Sequence, residues 1–168
     1  LMTMRAEVYY DDLGKDVRDE DIPADMVEKA QQYHDEMVEL ICDGIHIHPS
    51  VVRNTFRMFG SERVILISDS MMASGMDNGT YELGGQEVTM NNRKATLANG
   101  TIAGSATNLF DCMKIAMEFG IPEADAIFAA TRNPAKSIGV YDRVGSLTPG
   151  KEADILLVDD DYNLRKVL

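Results

Sequence analysis

The chain is poor in basic residues, in cysteine and in long apolar runs. Its 16 Lys and Arg face 28 Asp and Glu, a net charge of −12. That balance argues against a basic nucleic-acid footprint. The only cysteines, Cys42 and Cys112, are too few for a disulfide framework and are not at metal-site spacing. They read as buried thiols of a protein kept in a reducing compartment. No run approaches the roughly 20 apolar residues of a membrane span. The start, Leu1-Met2-Thr3-Met4-Arg5, lacks the apolar h-region of a secretion signal, so the expected compartment is the cytoplasm. Asn78-Gly79-Thr80 and Asn99-Gly100-Thr101 match the glycosylation sequon, and without that signal they read as turns.

The acidic excess is uneven. Residues 1–39 hold 4 Lys/Arg against 12 Asp/Glu, a net of −8, and the remaining residues hold a net of −4. This shift marks a candidate boundary. Residues 5–10 read as a short strand, followed by the turn Asp11-Asp12-Leu13-Gly14. Pro23 stands where a helix should begin, and Met26, Ala30, Tyr33, Met37 and Ile41 recur at helical steps. Yet Val38-Glu39-Leu40-Ile41-Cys42 also reads as a strand entering Asp43-Gly44-Ile45-His46. A segment that satisfies both periods is what a junction between unrelated pieces would produce, and also what a short window produces by itself.

Val64-Ile65-Leu66-Ile67 is a continuous apolar run of the kind buried on both faces in parallel sheets, and it ends in Ser68-Asp69-Ser70. Chemistry in such sheets sits at the carboxyl ends of strands, which is where Asp69 stands. The same residue reads equally as a carboxylate capping the next turn. Before it, Pro49 leads into a helix over 50–59. After it, Asp77-Asn78-Gly79, Asn91-Asn92 and Asn99-Gly100 punctuate short strands at 80–83, 87–90 and 94–97. Helices are expected over 106–119 and 123–131, with a short one opening at Arg132-Asn133-Pro134-Ala135 and closed by Gly139. The tail from Gly145 reads as a turn and then a strand, and Asp159-Asp160-Asp161 as a solvated turn.

Several of these strings occur together in one family. Asp43-Gly44-Ile45-His46, Ser68-Asp69, Asp77–Gly85, Leu97-Ala98-Asn99-Gly100-Thr101-Ile102-Ala103-Gly104-Ser105, Asn133-Pro134-Ala135 and Gly145–Asp154 stand in matching order and spacing. From about residue 38 onward the chain resembles the C-terminal part of the N-acetylglucosamine-6-phosphate deacetylases, within the amidohydrolase superfamily. The resemblance implies an α/β fold: the last two strand–helix units of a (β/α)₈ barrel, with hairpin insertions and a return strand of a small β-domain. It implies a metal-dependent hydrolase of amino-sugar catabolism that releases acetate and glucosamine 6-phosphate. Asp69 falls on the carboxylate that takes a proton from metal-bound water and delivers it to the departing amine, chemistry that suits an Asp base. Asp43, Gly44, Ile45 and His46 fall on the preceding strand end, where the family contacts the sugar. Ile102, Ala103 and Gly104 fall on a loop against the substrate. His48 has no ligand role in the family and reads as structural.

The resemblance also implies what is missing. The family's divalent metal, of the zinc or iron class, is held by a glutamate and two histidines on earlier barrel strands. This chain has no counterpart of those strands, and His34 is its only other histidine. A lone Asp cannot hold a metal that takes about three protein ligands. The expectation is a chain inactive by itself, with no metal site of its own. Its partner would be a small-molecule amino-sugar phosphate, with no nucleic acid and no membrane, and the complete enzyme a homo-oligomer. Residues 1–37 instead resemble a piece of translation elongation factor G, on Met4–Tyr10, Asp12–Asp16 and Ile22–Met26, without that family's nucleotide motifs. Two domains are expected, 1–37 and 38–168. The alternatives are a non-catalytic piece of a translation GTPase, or a chimeric chain with neither activity.

Overall fold

A computed structural model describes residues 5–9 and 16–168. The chain divides into two compact units, the first ending at Val38 and the second running from Glu39 to Leu168. Tyr10, the turn expected at Asp11–Gly14 and the side chain of His34 lie outside the described residues.

In the first unit, β1 (Arg5–Tyr9) pairs antiparallel with β2 (Val17–Asp21), Arg5 opposite Asp21. β2 reads Val-Arg-Asp-Glu-Asp, with no apolar alternation to announce it, so residue patterning alone does not predict it. Arg5 bridges to Asp19 and Asp21 across the pair. A single 3-10 turn at Ala24–Met26, entered through Pro23, leads into α1 (Val27–Asp35). The helix stops at Glu36, whose extended backbone (ψ 132°) turns the chain into β3 (Val38–Ile41). The ambiguous stretch therefore resolves as helix to residue 35 and strand from 38.

The second unit is α/β. The strand β3 leads through α2 (Pro49–Phe59) to β4 (Val64–Ile67), its neighbour in a two-stranded sheet. Cys42, one residue beyond β3, donates its N–H to Ile67 O at 3.4 Å. The two carboxyl ends thus lie side by side, the parallel arrangement that a helical crossover permits. Pro49 is the first residue of α2 rather than a breaker before it, because its missing N–H is an orphan there in any case. The ring Nδ1 of His48 accepts the N–H of Ser50 at 3.2 Å and caps the helix.

Four helices pack on β4: α2, α3 (Leu109–Glu118), α4 (Glu123–Ala130) and α5 (Arg132–Ser137). The core there joins Leu40, Cys42, Val64 and Leu66 from the strands to Val52, Phe56, Cys112, Ile115 and Ala126 from the helices. The buried Asn133 anchors α5 to the entry of β4, donating to Ser61 O at 2.7 Å and Val64 O at 2.8 Å. α3 begins three residues later than its apolar pattern suggests. Asn108 is its cap, accepting the N–H of Asp111 at 2.9 Å, while Ala106 packs into a second core.

Between β4 and α3 the chain forms an antiparallel meander of β5 (Gly79–Leu83), β6 (Gln86–Asn91), β7 (Lys94–Leu97) and β8 (Ile102–Ser105). Its buried side is a separate core of Met71, Ala73, Val88, Met90, Ala95, Ala103 and Ala106. The segment Ile102–Gly104, a loop by resemblance, is strand here. It pairs with β7, Thr96 opposite Ile102, which sequestered Ala and Gly residues of weak strand propensity do not foretell. The tail forms a hairpin, β9 (Leu156–Val158) with β10 (Leu164–Val167), closed at Asp159, whose Oδ1 accepts the N–H groups of Asp161 and Asn163.

Candidate active site

The carboxyl end of β4 is shaped by what surrounds Asp69. The apolar residues Val64 to Leu66 are buried by four helices, and the chain then breaks out of the sheet at Ser68. Asp69 is exposed and has a left-handed backbone (φ 49°), a conformation uncommon outside glycine that aspartate tolerates better than most residues. Ser105 N–H donates to Asp69 O at 3.1 Å, and Met71 N–H donates to Ser105 O at 2.7 Å, so that Ser70 forms a parallel bridge to Ser105. Among the described residues nothing donates to the Asp69 carboxylate, which is thus available to a ligand or to water.

The neighbouring strand end is built differently. The carboxylate of Asp43 is only 2% exposed. Its Oδ1 accepts the N–H groups of Ile45 (2.9 Å) and His46 (3.0 Å), and its Oδ2 lies 2.7 Å from the His46 ring Nδ1. Burial pushes the Asp43 carboxyl up. The backbone N–H of His46, then that of Ile45, then the His46 ring outweigh this and hold it below the ordinary carboxylate value. Gly44, at φ 78°, makes the turn and packs toward Ile115 and Phe119. The ring of His46 keeps Nε2 uncommitted. A neutral ring with Nδ1–H on Asp43 presents Nε2 as an acceptor, and only a protonated ring presents it as a donor.

Beside the Asp43 turn, in the core under the helices, lie Cys42 and Cys112. Burial, then their mutual proximity for Cys42 and the Asp43 charge for Cys112, pushes each thiol up to about 12. Both remain protonated and inert at neutral pH.

The residues singled out by resemblance come together in part. Gly104 lies against Asp69. A side chain added at Gly104 would meet Met71 Cβ at 3.7 Å and Asp69 O at 3.8 Å, and its φ of 86° suits glycine. Ala103 faces into the second core and offers a ligand only its backbone. Asp43–His46 stands at the adjacent strand end through the Cys42–Ile67 bond. An open groove of about 400 Å³ runs along β4 past Asp69, lined by Glu39, Ile65, Ile67, Leu109, Pro134 and Ile138 among others. Residue patterning missed Ser70, Ser105 and Thr107, whose hydroxyls and peptide groups bind the Asp69 turn. Only the threading of one strand end onto another reveals them.

Among the described residues no group of three or more His, Cys, Asp or Glu side chains could hold a metal ion. Nor is any described helix long and apolar enough to cross a membrane.

With that geometry in view, comparison with known proteins is informative. The chain is 44% identical over 130 residues to N-acetylglucosamine-6-phosphate deacetylase from Bacillus subtilis, covering 76% of this chain and 33% of that protein. It is 36% identical over 131 residues to a putative N-acetylgalactosamine-6-phosphate deacetylase of Escherichia coli strain K12, covering 77% of this chain and 78% of that protein. The chain spans about a third of the length of the Bacillus relative. Among solved structures it is similar to N-acetylglucosamine-6-phosphate deacetylase from Pasteurella multocida, with a TM-score of 0.76 and 26% identity over 92% of this chain and 39% of that one. It is also similar to a variant of the Mycobacterium smegmatis deacetylase in complex with N-acetyl-D-glucosamine-6-phosphate, with a TM-score of 0.71 and 33% identity over 79% of this chain and 36% of that one. The amidohydrolase family model matches residues 18–167, reaching into the acidic N-terminal unit. The chain belongs to the amidohydrolase family.

Proposed function

We propose that the chain is the C-terminal part of an amino-sugar phosphate deacetylase, with Asp69 as its acid/base. The observation that supports this most directly is the exposed, unpartnered carboxylate of Asp69 at a parallel strand end, held against Gly104 inside the matched region. In the reaction, water adds to the acetamide carbonyl carbon of N-acetylglucosamine 6-phosphate. Asp69 takes the water's proton and passes it to the amine nitrogen as the C–N bond breaks, leaving acetate and glucosamine 6-phosphate. The turn Asp43–His46 orients the sugar through the His46 ring, and Asp43 acts by holding that ring. Ile102–Gly104 forms a backbone wall close to the reacting group.

Under this reading β3 and β4 are the last two strands of a (β/α)₈ barrel, and β9–β10 returns to a small β-domain. The divalent metal and its ligands come from the remainder of that barrel, so this polypeptide alone is inactive. Mixing the chain with the N-terminal two-thirds of the Bacillus relative, in the presence of zinc or iron(II), tests this. Acetate release from N-acetylglucosamine 6-phosphate is expected from the mixture and not from either piece. N-acetylgalactosamine 6-phosphate serves as the competing substrate. Turnover by the pure chain would overturn the claim of inactivity. Turnover by a mixture carrying Asp69→Asn would overturn the role given to Asp69.

A second reading starts from the division of the chain into two compact units at Val38–Glu39, which says nothing of the origin of either. Under it, residues 1–37 are a fused non-catalytic segment of a translation GTPase. Ribosome binding by the chain, lost on removal of those residues, would favour it. The amidohydrolase match from residue 18 favours a continuous deacetylase origin.

A further inference from the structure

The residue after Asp69 carries a hydroxyl with an unusual commitment. Ser70 Oγ donates to Thr107 O at 2.6 Å, across 37 positions of chain, although Ser70 itself is exposed. On the other side of the same residue, Thr107 N–H donates to Ser105 Oγ at 3.1 Å. Thr107 is buried, and its own hydroxyl has no partner among the described residues, so it is held by its backbone N–H and C=O and not by its side chain. It immediately precedes Asn108, the cap of α3, so the clamp ties the end of β4 to the start of a helix in the core.

We infer that Ser70 is a positioning residue for Asp69, an inference that rests on the catalytic reading above. The bonds between Asp69 O, Ser105 and Met71 fix the backbone on one side of the turn. Ser70 Oγ adds a further anchor, from the residue after Asp69 to Thr107 O at the start of α3. No described residue holds the Asp69 carboxylate, so the position of its Cα–Cβ bond, from which its rotamers swing, is set by the backbone that Ser70 and Ser105 anchor. A carboxylate displaced by about 1 Å from its reacting atom costs on the order of 100-fold in rate, so a loosened turn would weaken proton transfer more than substrate binding.

Two measurements test this. In the 168-residue chain, the ¹³Cα shift and the HN–Hα coupling of Asp69 report its left-handed conformation. Ser70→Ala is expected to move both toward averaged values, and Ser70→Thr, which keeps the hydroxyl, to restore them. Thr55→Ala, which deletes a comparable side-chain bond to Val51 O in α2, should leave them in place. In the reconstituted mixture, Ser70→Ala should lower kcat about tenfold with KM changed less than twofold, a split expected of lost orientation. Should Ser70→Ala fail to fold, Ser105→Ala cuts the other side of the clamp and is read by the same signals. Unchanged Asp69 signals in a folded Ser70→Ala chain would overturn the inference, as would full turnover of that variant in an active mixture. An inactive wild-type mixture would overturn the deacetylase reading, and the spectroscopic arm would still decide whether Ser70 sets the Asp69 backbone.

Discussion

Two aspartates stand at the ends of neighbouring parallel strands, and the structure treats them in opposite ways. Asp43 is buried and accepts two backbone N–H groups and an imidazole nitrogen. Asp69 is exposed, holds a strained backbone and receives no donor on its carboxylate from the described residues. A carboxylate saturated with hydrogen bonds holds a turn in shape and has little capacity left for chemistry. One left unpaired in a conformation imposed by its neighbours contributes little to stability and keeps its oxygens for a reacting proton. Position at a strand end therefore does not distinguish the two aspartates. Unused hydrogen-bonding capacity does, and it supports the acid/base role proposed for Asp69.

Asp69→Asn gives the largest separation. The change keeps shape and tolerance of the left-handed backbone while removing the proposed base. In the reconstituted mixture, turnover should fall by roughly 100- to 10,000-fold. The melting curve of the chain should move by less than about 0.5 kcal/mol, the range of exposed substitutions. A large loss of stability would place Asp69 in the same class as Asp43 and break the contrast.

Asp43→Ala should do the reverse. It strands the N–H groups of Ile45 and His46 and frees the His46 ring, and should cost about 2–3 kcal/mol in denaturant unfolding. Asp43→Asn keeps one acceptor and should cost about half as much. The pH dependence separates charge from shape. Because the folded carboxyl of Asp43 sits below its ordinary value of 3.8, the unfolded chain binds its proton first as pH falls. Its contribution is thus present above that value and lost as pH drops through the lower folded value. Unfolding at pH 3 compared with pH 6 should show a smaller loss in Asp43→Asn than in the wild type.

How far the sequence discloses this contrast follows from its physics. The apolar run Val64–Ile67 announces a buried strand, and the polar residues after it announce its end, so the place of Asp69 is legible. The meander is legible too, because Asn and Gly mark its turns. β2 and β8 are not, since a charged strand and an Ala-Gly strand are held by their partners rather than by their own propensities. The break between α1 and β3 has no Gly or Pro to mark it, and the apolar stripe runs on through it. Nothing local says that Asp43 is saturated or that Ser70 reaches Thr107. Those facts depend on a turn closing on itself and on residues 37 positions apart.

The cysteines beside the Asp43 turn offer a milder test of how closed that side is. With each thiol pushed up to about 12, iodoacetamide at pH 8 should label neither Cys42 nor Cys112 in the native chain. Mass spectrometry should find both labelled in denaturant. In Asp43→Ala the native rate should rise by the factor by which opening becomes easier, while Asp69→Asn should leave it unchanged. Equal protection in the two variants would mean that the Asp43 turn does not gate access to the core.

The smallest expected effect concerns backbone strain, and it turns the comparison toward a third region. Asn92 and Arg93 connect β6 to β7 with φ of 48° and 65°, the paired left-handed values of a two-residue hairpin turn. Arg93 has no local reason to favour that conformation, and its ion pair with the half-buried Asp111, at 4.0 Å, is long and weak. Arg93→Gly should therefore stabilise the chain. The gain from relieving a left-handed residue, about 1–2 kcal/mol, exceeds the entropy glycine adds to the unfolded chain, leaving roughly 0.5 kcal/mol net. Asp69→Gly relieves the same kind of strain, but aspartate tolerates it better, so its gain should be smaller still. The two substitutions then part company in the reconstituted mixture, where Arg93→Gly should leave turnover intact and Asp69→Gly should abolish it. If Asp69→Gly instead destabilised the chain, the left-handed turn would depend on the aspartate itself rather than on its anchors. The ends of β3 and β4 would then be two versions of one structural device, and not one structural and one catalytic.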